Sequence, residues 1–428
     1  MTSLQILSIL TQIVLLLVIV HLAAAGGTTI FQRFFNPGCW YMLFYSLWFL
    51  IPQMVSLANN DFVLGYPGAT KKMVMQSQFY LVGFNAVVMM GLLGVRLLFD
   101  FRVGSVPLKF QFEELYARER VLLFGFYGAG CLATLYLGTQ LMSSEGMRSE
   151  LVKSPLGMVA TLVSFFGVFA MAVFLGHGLY ERRFLMGSLA ALTMGGAIFF
   201  TGARGRLLWP ISLAVSYTLC RSNRIRIRHV VVMVVLSILV LLVFDPVLAA
   251  LRDGMRHFSF RDIQERVMLS NLFMTKRNFD GFANFTVIVS HNSLPSDPMV
   301  FLKGGRTAFM EHYFPGMLEK GVGFGTTIPG MLWLGGGLAG LLCGGLIYGA
   351  ILGLLALWVR QIRHEPMFWS YMFAMTWIAA LGGNFQESLD KMVAIALPGF
   401  VWLALLPYRR SKRTPDFAAG QIVGAQPE

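Results

Sequence analysis

Long apolar segments recur along almost the whole chain, and no other feature constrains its fold as strongly. A helix that crosses a bilayer needs about 20 mainly apolar residues. Segments of that kind fall at about 3–25, 39–58, 79–99, 121–142, 156–178, 185–201, 206–220, 230–250, 327–358, 367–383 and 391–407. The hydrophobic fraction is 56% and charged residues are only 13%, where soluble domains carry roughly a quarter. The sequence therefore reads as an all-α polytopic membrane protein, a single transmembrane domain over 1–428 with about 11 transmembrane helices. The close-set segments around 201–206 can also be one broken helix. The segment after Thr326 is long enough to be tilted or interrupted, and Gly335-Gly336-Gly337 and Gly344-Gly345 are the places where a break is expected. The first segment lacks a basic leader and ends in Ala-Ala-Ala-Gly-Gly, which resembles a cleavage site. At this length it reads as a retained helix.

The basic residues give the orientation. Arg96, Arg102, Lys109, Arg118 and Arg120 follow the third segment; Arg182-Arg183, then Arg221, Arg224, Arg226 and Arg228, then Arg360 and Arg363 flank later ones. A tail over 408–428 holds Arg409, Arg410, Lys412 and Arg413. With an odd number of spans all of these fall on one side, which the positive-inside rule makes the cytoplasm. The N-terminus is then outside and the C-terminus inside. The net charge of +13 sits mostly at segment ends, so it sets topology and gives no reason to expect a nucleic-acid partner. Cys39, Cys131, Cys220 and Cys343 are dispersed, without metal-ligand or redox spacing.

On the outer side this topology leaves 201–206, 382–391 and one large extracytoplasmic loop, 251–326. The loop gathers Arg252, Arg256, Arg261, Arg266, Lys276, Arg277, Lys303 and Arg306 with His257, His291 and His312. Ser259 and Asp262 resemble a capping box. Phe260, Ile263, Val267, Met268 and Leu272 then recur near helical spacing, so 260–275 reads as an amphipathic helix, lying in the interface or packed over the bundle. The stretch 280–298, rich in Asn, Ser, Asp and Pro, reads as irregular loop. Gly321, Gly323 and Gly325 lead into the next span and let backbone approach a ligand closely.

Arginine near hydrocarbon tends to face a polar cavity or an anionic partner, and its fork of donors suits phosphate. Arg204 and Arg206, in Thr201-Gly-Ala-Arg-Gly-Arg206, are the first candidates; the bland alternative is that one snorkels to headgroups while the other flanks a helix. Lys303-Gly-Gly-Arg306 adds cations beside flexible backbone, and Arg277, Arg256 and Arg261 are further phosphate candidates that equally well meet only lipid headgroups. Glu311, His312 and Glu319 are the titratable groups able to take a proton from a hydroxyl, set against the bland reading of solvated loop side chains. Asn384, Glu387, Asp390 and Lys391 are candidates for sugar contacts on the last outer loop. His177 and His364 fall on the cytoplasmic side and read as incidental. No Walker loop, HExxH or GxSxG is present, so ATP hydrolysis, zinc proteolysis and serine hydrolysis have no motif support.

Two stretches together resemble the O-antigen polymerase family, the oligosaccharide repeat-unit polymerases. One is Phe200-Thr-Gly-Ala-Arg-Gly-Arg-Leu-Leu208, similar to that family's Arg-Gly step before an apolar helix. The other is Gly304-Gly-Arg-Thr-Ala-Phe-Met-Glu-His-Tyr-Phe-Pro-Gly316 with the Gly-rich run that follows, which resembles the family's long outer loop entering a late helix. The chain departs from the family at Pro315-Gly316, where Pro-Arg is frequent, near Gly330-Met331, where an acidic residue is frequent, and at Gly383-Asn-Phe-Gln-Glu-Ser388, where many members have Arg-Gly. An odd span count is also unusual there. The resemblance implies a membrane-embedded glycosyltransferase of the GT-C-like class. It would polymerise undecaprenyl-pyrophosphate-linked oligosaccharide units at the periplasmic face of the bacterial inner membrane, among membrane lipid and with a chain-length regulator protein as a partner. No nucleotide sugar, metal or other cofactor is implied. Arg204 and Arg306 would clamp pyrophosphate with Arg277 in support, Arg206, Arg256, Lys303 and Glu319 would bind substrate, and Glu311 or His312 would activate the acceptor hydroxyl. The rivals are an O-antigen ligase, using the same donor with another acceptor, and a transporter of lipid-linked sugar.

Overall fold

In hydrocarbon every backbone N–H and C=O must be satisfied within the protein, which leaves helices as the simplest solution for segments this apolar. The computed structural model describes residues 2–27, 29–59, 70–99, 117–143, 154–181, 184–201, 281–290, 327–362 and 365–376, with short pieces at 213–214, 216–217, 299–300, 378, 397–399, 401–402 and 404. Among the described residues there is helix and no strand. Six helices are long and apolar enough to cross a membrane, which is the pattern of a multi-pass membrane protein. Helix α1 spans Thr2–Ala24; α2 is the short Ile30–Phe34; α3 (Pro37–Tyr45), a π-helical turn (Ser46–Leu50) and α4 (Ile51–Asn59) make up one traverse; α5 is Lys71–Phe99 and α6 is Ala117–Ser143. Then come α7 (Pro155–Glu181), α8 (Phe184–Thr201), α9 (Gly281–Ser290), α10 (Ile328–Gln361) and α11 (Glu365–Thr376). The sequence-expected segments at 230–250 and in most of 206–220 and 391–407 lie outside the described residues, as do the 260–275 helix and the tail.

Helices α5 and α10 form the most extensive pair. Gly345, Gly349 and Gly353 recur every fourth residue on α10 and so share one face. A Cβ on Gly349 would stand 2.7 Å from the Val88 carbonyl carbon, and one on Gly353 2.8 Å from Val95 Cβ. Gly91 on α5 answers them, with its Cβ position 2.8 Å from the Ala350 nitrogen. Lipid tails are as apolar as leucine, so helices in a membrane gain little by burying apolar surface and associate through close backbone packing at small residues. The register runs from Phe84 beside Gly345 to Val95 beside Gly353, so the two helices are parallel. The same device joins α6 to α7, where Gly130 and Gly167 meet backbone to backbone and Met194 of α8 closes the contact.

Helix α10 is broken at the first of its two glycine runs and continues through Gly344-Gly345. Gly336 and Gly337 leave helical geometry, and Gly337 takes φ 58°, a left-handed conformation that only glycine adopts cheaply. Leu332 before the break touches Gly340 and Gly344 after it. Residues 12 apart on a straight helix would be about 18 Å apart, so the short first half folds back along the long second half. Trp333 in the short half lies against Tyr80 of α5, ring centres 4.6 Å apart.

The bundle centre is aromatic. Phe169 of α7, Trp369 of α11, Tyr217 and Trp402 interlock at centroid distances of 5.5–5.7 Å. Large apolar side chains such as Leu132, Leu185 and Leu192 stay more than two-thirds exposed, the surface that a lipid-facing helix presents.

Candidate functional site

The 280–298 stretch differs from its sequence reading. Residues 281–290 form helix α9, and every residue from Gly281 to Val289 is buried. Phe282, Phe285, Val287 and Ile288 give it an apolar surface on all sides, as a helix enclosed by others requires. The segment is flanked by Asp, Asn, Ser and Pro, so local composition hides it. Helix α9 packs against α5, α10, α4 and the π-helical turn.

The place where α9 begins is specific. A Cβ on Gly281 would stand 2.8 Å from Trp48 O and 3.1 Å from Thr327 Cγ2. Glycine lets the first turn of α9 rest on both. Trp48 lies in the π-helical turn, where the Ile51 N–H bonds to Ser46 O. The α-helical donor to the Trp48 carbonyl would be residue 52, which is Pro52 and has no N–H. Proline thus explains both the π-turn, a feature common at functional sites, and the altered setting of the carbonyl that meets α9. Thr327 caps α10, its Oγ1 accepting from the Gly330 N–H at 3.2 Å, and Gly330 packs toward Ile288 of α9. Gly281 of α9 and the capped start of α10 therefore adjoin inside the bundle.

Around this node runs a seam of uncharged polar side chains. Gln5, Ser8 and Gln12 lie on one face of α1; Gln53 and Ser56 on α4; Ser77, Gln78 and Asn85 on α5; all are buried. Tyr45 OH donates to Gln12 Oε1 at 2.7 Å. Gln12 Nε2 donates to Gln53 Oε1 at 3.0 Å, and Gln53 Nε2 returns a bond to Gln12 Oε1 at 3.1 Å. Tyr41 OH donates to Asn85 Oδ1 at 2.6 Å, and Asn85 Nδ2 to Leu81 O at 2.9 Å. The rings of Tyr41 and Tyr45 adjoin at 5.7 Å, and Tyr348 of α10 lies 5.8 Å from Tyr41. Ser8 Oγ and Gln78 Oε1 have no hydrogen-bond partner among the described residues. Gln78 lies six residues past Lys72 on α5, about 9 Å along the axis, so the seam belongs to the half of the bundle nearer the α1 N-terminus.

Polar groups at membrane depth serve as interhelical glue or mark a substrate path. The amide–tyrosine triad does the first. Replacing Gln12 by leucine strands the Tyr45 hydroxyl and the Gln53 amide, for about 1–3 kcal/mol per orphaned group. A clear fall in the detergent melting temperature is expected. The combined Gln12→Leu, Tyr45→Phe and Gln53→Leu variant should recover most of it, because removing every partner together leaves no orphan.

The nine sequence-predicted site residues, Glu311, His312, Arg204, Arg306, Arg206, Arg277, Arg256, Lys303 and Glu319, lie outside the described residues, as do Arg261, Asn384, Glu387, Asp390, Lys391 and His364. The structure fixes chain neighbours of several: Thr201 ends α8, Gly281 starts α9, Val300 is buried, and Thr327 caps α10. His177, which reads as incidental in the sequence, is buried in α7, and its Nε2 pairs with Tyr217 OH at 2.8 Å. The polar seam had a legible signal, since 5, 8 and 12 is helical spacing within an apolar segment. Compared with protein-family models, curated proteins and solved structures, the chain has no match.

Proposed function

We propose that the chain is a membrane-embedded glycosyltransferase that polymerises undecaprenyl-pyrophosphate-linked oligosaccharide repeat units at the periplasmic face of a bacterial inner membrane. In this reading it has about 11 spans, a periplasmic N-terminus, a cytoplasmic C-terminus and a GT-C-like fold. One observation carries the proposal beyond the sequence motifs. Within the long basic interval lies α9, buried from Gly281 to Val289, with Gly281 against Thr327 and Trp48.

The candidate phosphate ligands are near α8, α9 and Val300 in the sequence. Arg277 precedes Gly281 by four residues and Lys303 follows the buried Val300 by three. Arg204 follows Thr201, the last residue of α8, by three.

The reaction assigned to these groups is substitution at an anomeric carbon. An acceptor sugar hydroxyl on the incoming lipid-linked unit forms the new C–O bond. The bond to the donor's pyrophosphate breaks, the lipid pyrophosphate leaves with the electron pair, and Glu311 or His312 takes the hydroxyl proton. Arg204 and Arg306, with Arg277 in support, would hold the charge that develops on the departing oxygens, which fixed donors in a water-poor site stabilise strongly. Arg206, Arg256, Lys303 and Glu319 complete the substrate contacts.

Gene deletion tests the assignment in cells. Loss of a polymerase leaves single repeat units attached to their final acceptor, which is the expected result. Long chains stranded on undecaprenyl lipid would instead identify a ligase. Repeat units trapped on the cytoplasmic side would identify a transporter.

A further inference from the structure

We propose that Ser8 of α1 and Gln78 of α5 form a buried subsite for one hydroxyl of a neutral ligand, the sugar portion of a lipid-linked glycan. The inference rests on the glycan-transfer reading and adds to it a contact that none of the candidate cations serves.

Contacts between helices fix the depth of both residues. A Cβ on Gly38 of α3 would stand 2.7 Å from Ala23 Cβ and 3.0 Å from Ile19 O, while Tyr45 of α3 bonds to Gln12, so α1 and α3 are antiparallel. Arg96 near the end of α5 donates to Leu22 O near the end of α1, so α1 and α5 are parallel. Tyr41, which bonds to Asn85 of α5, lies one turn from Tyr45, about 6 Å along the axis. Gln12 is therefore level with about residue 81 of α5, and Ser8, one turn nearer the start of its helix, with about residue 77. Ser8 and Gln78 thus share one depth, about 9 Å inside the start of α1. The same count sets them level with the π-helical turn Ser46–Leu50, whose Trp48 carbonyl meets Gly281 of α9.

Their faces converge as well. Residues four or seven apart share one face of a helix. Ser8 shares a face of α1 with Gln12, and Gln78 a face of α5 with Asn85. Those two amides turn to Tyr45 and Tyr41 of one traverse, and α1 packs directly on α5.

The pair is set apart by what it lacks. Ser8 is 4% and Gln78 1% exposed, yet Ser8 Oγ and Gln78 Oε1 have no hydrogen-bond partner among the described residues. Nearby groups of the seam are paired: Gln12 with Gln53 and Tyr45, Asn85 with Tyr41, and Ser77 Oγ with Met73 O at 3.0 Å. A buried polar group without a partner loses its hydration and regains nothing, so two at one depth call for a cause. A partner supplied by a ligand is such a cause.

The two groups define the chemistry of that ligand. Gln78 Oε1 only accepts, whereas the Ser8 hydroxyl donates and accepts. A ligand hydroxyl can donate to the first and accept from the second at once. A phosphate or carboxylate anion cannot donate, and an ammonium group cannot accept. Among the described residues no Asp, Glu, Lys or Arg is buried, so an ion in the seam would meet no counter-charge there. Sugar hydroxyls and water share the required chemistry. The sugar is the occupant inferred, because the pair is level with Gly281 of α9, in the interval that carries the candidate pyrophosphate ligands, and the glycan is joined to that pyrophosphate.

The test is a native mass spectrometry titration of the purified full-length protein with the undecaprenyl-pyrophosphate-linked repeat unit and, separately, with undecaprenyl pyrophosphate. The parent should bind the glycan-bearing lipid more tightly. Ser8→Ala should reduce that preference about threefold and Ser8→Ala with Gln78→Leu about tenfold, as one and two hydrogen bonds are lost. Affinity for undecaprenyl pyrophosphate should not change. Without ligand both variants should melt at or above the parent temperature, because each removes an unpaired buried group. Absence of any preference in the parent would count against the glycan-transfer reading itself. A parental preference retained in full by the double variant would overturn this inference alone, leaving water as the only occupant. Equal weakening of both lipids, or a lower melting temperature in Ser8→Ala, would overturn it by showing a structural role.

Discussion

Gly349→Leu is expected to yield no monodisperse protein in detergent, while Gly94→Leu yields as much as the parent. The two glycines differ only in what a side chain would meet. At Gly349 the Cβ alone would lie 2.7 Å from the Val88 carbonyl carbon, with the carbonyl oxygen nearer still. Backbone held in two helices cannot rotate out of the way as a side chain can, so α5 and α10 would have to part along the seam that Gly345, Gly349, Gly353 and Gly91 share. Inserting extra methylenes into a packed core costs about 1–3 kcal/mol even where side chains can yield, and here the obstacle is main chain. The expected penalty is at least about 3 kcal/mol, and it falls on the largest helix contact among the described residues. Around Gly94 no atom of the described residues outside its own helix backbone lies within 4 Å of the Cβ position, and replacing a helical glycine relieves a propensity cost of up to about 1 kcal/mol. Size-exclusion chromatography of the two variants decides the matter; a monodisperse Gly349→Leu would mean that the α5–α10 contact is not as close as described.

The second large effect concerns Arg204 and Arg306. Each is expected, as alanine, to reduce long-chain polysaccharide in cells by about a hundredfold or more, the order seen when one fixed donor to a developing charge is lost. The reduction should appear with membrane levels of the protein unchanged. Lysine in place of either should restore only part of it, since a point charge replaces a fork of donors. Gel profiles of surface polysaccharide provide the readout. Long chains intact in both alanine variants would remove the pyrophosphate clamp from the mechanism.

Much of the fold is legible in the sequence because lipid leaves few alternatives. The segments at 3–25, 121–142 and 156–178 correspond to α1, α6 and α7 within a few residues. The break in α10 falls inside Gly335-Gly336-Gly337, where the backbone has no side chain to restrain it. Helix α5 starts at Lys71, eight residues before the apolar segment, because Lys71, Lys72, Gln76 and Gln78 depress the hydropathy without opposing a helix. Helix α9 escapes for a different reason. Its burial is imposed by α4, α5 and α10, which a local window does not contain. Arg96 and Arg360 are visible in the sequence only as charges flanking spans. That they donate to carbonyls at the end of α1 is tertiary information. The candidate cations of the basic interval are visible in the sequence alone; the structure adds the buried α9 and the Thr327 cap on either side of its second half.

The central claim, transfer between lipid-linked glycans, is tested most directly by the purified protein in liposomes given only undecaprenyl-pyrophosphate-linked repeat units. The account predicts a ladder of lipid-linked products longer than one unit, with release of undecaprenyl pyrophosphate and no requirement for a nucleotide sugar. Repeat units that stay single while crossing the bilayer, or that stay single and in place, would contradict it.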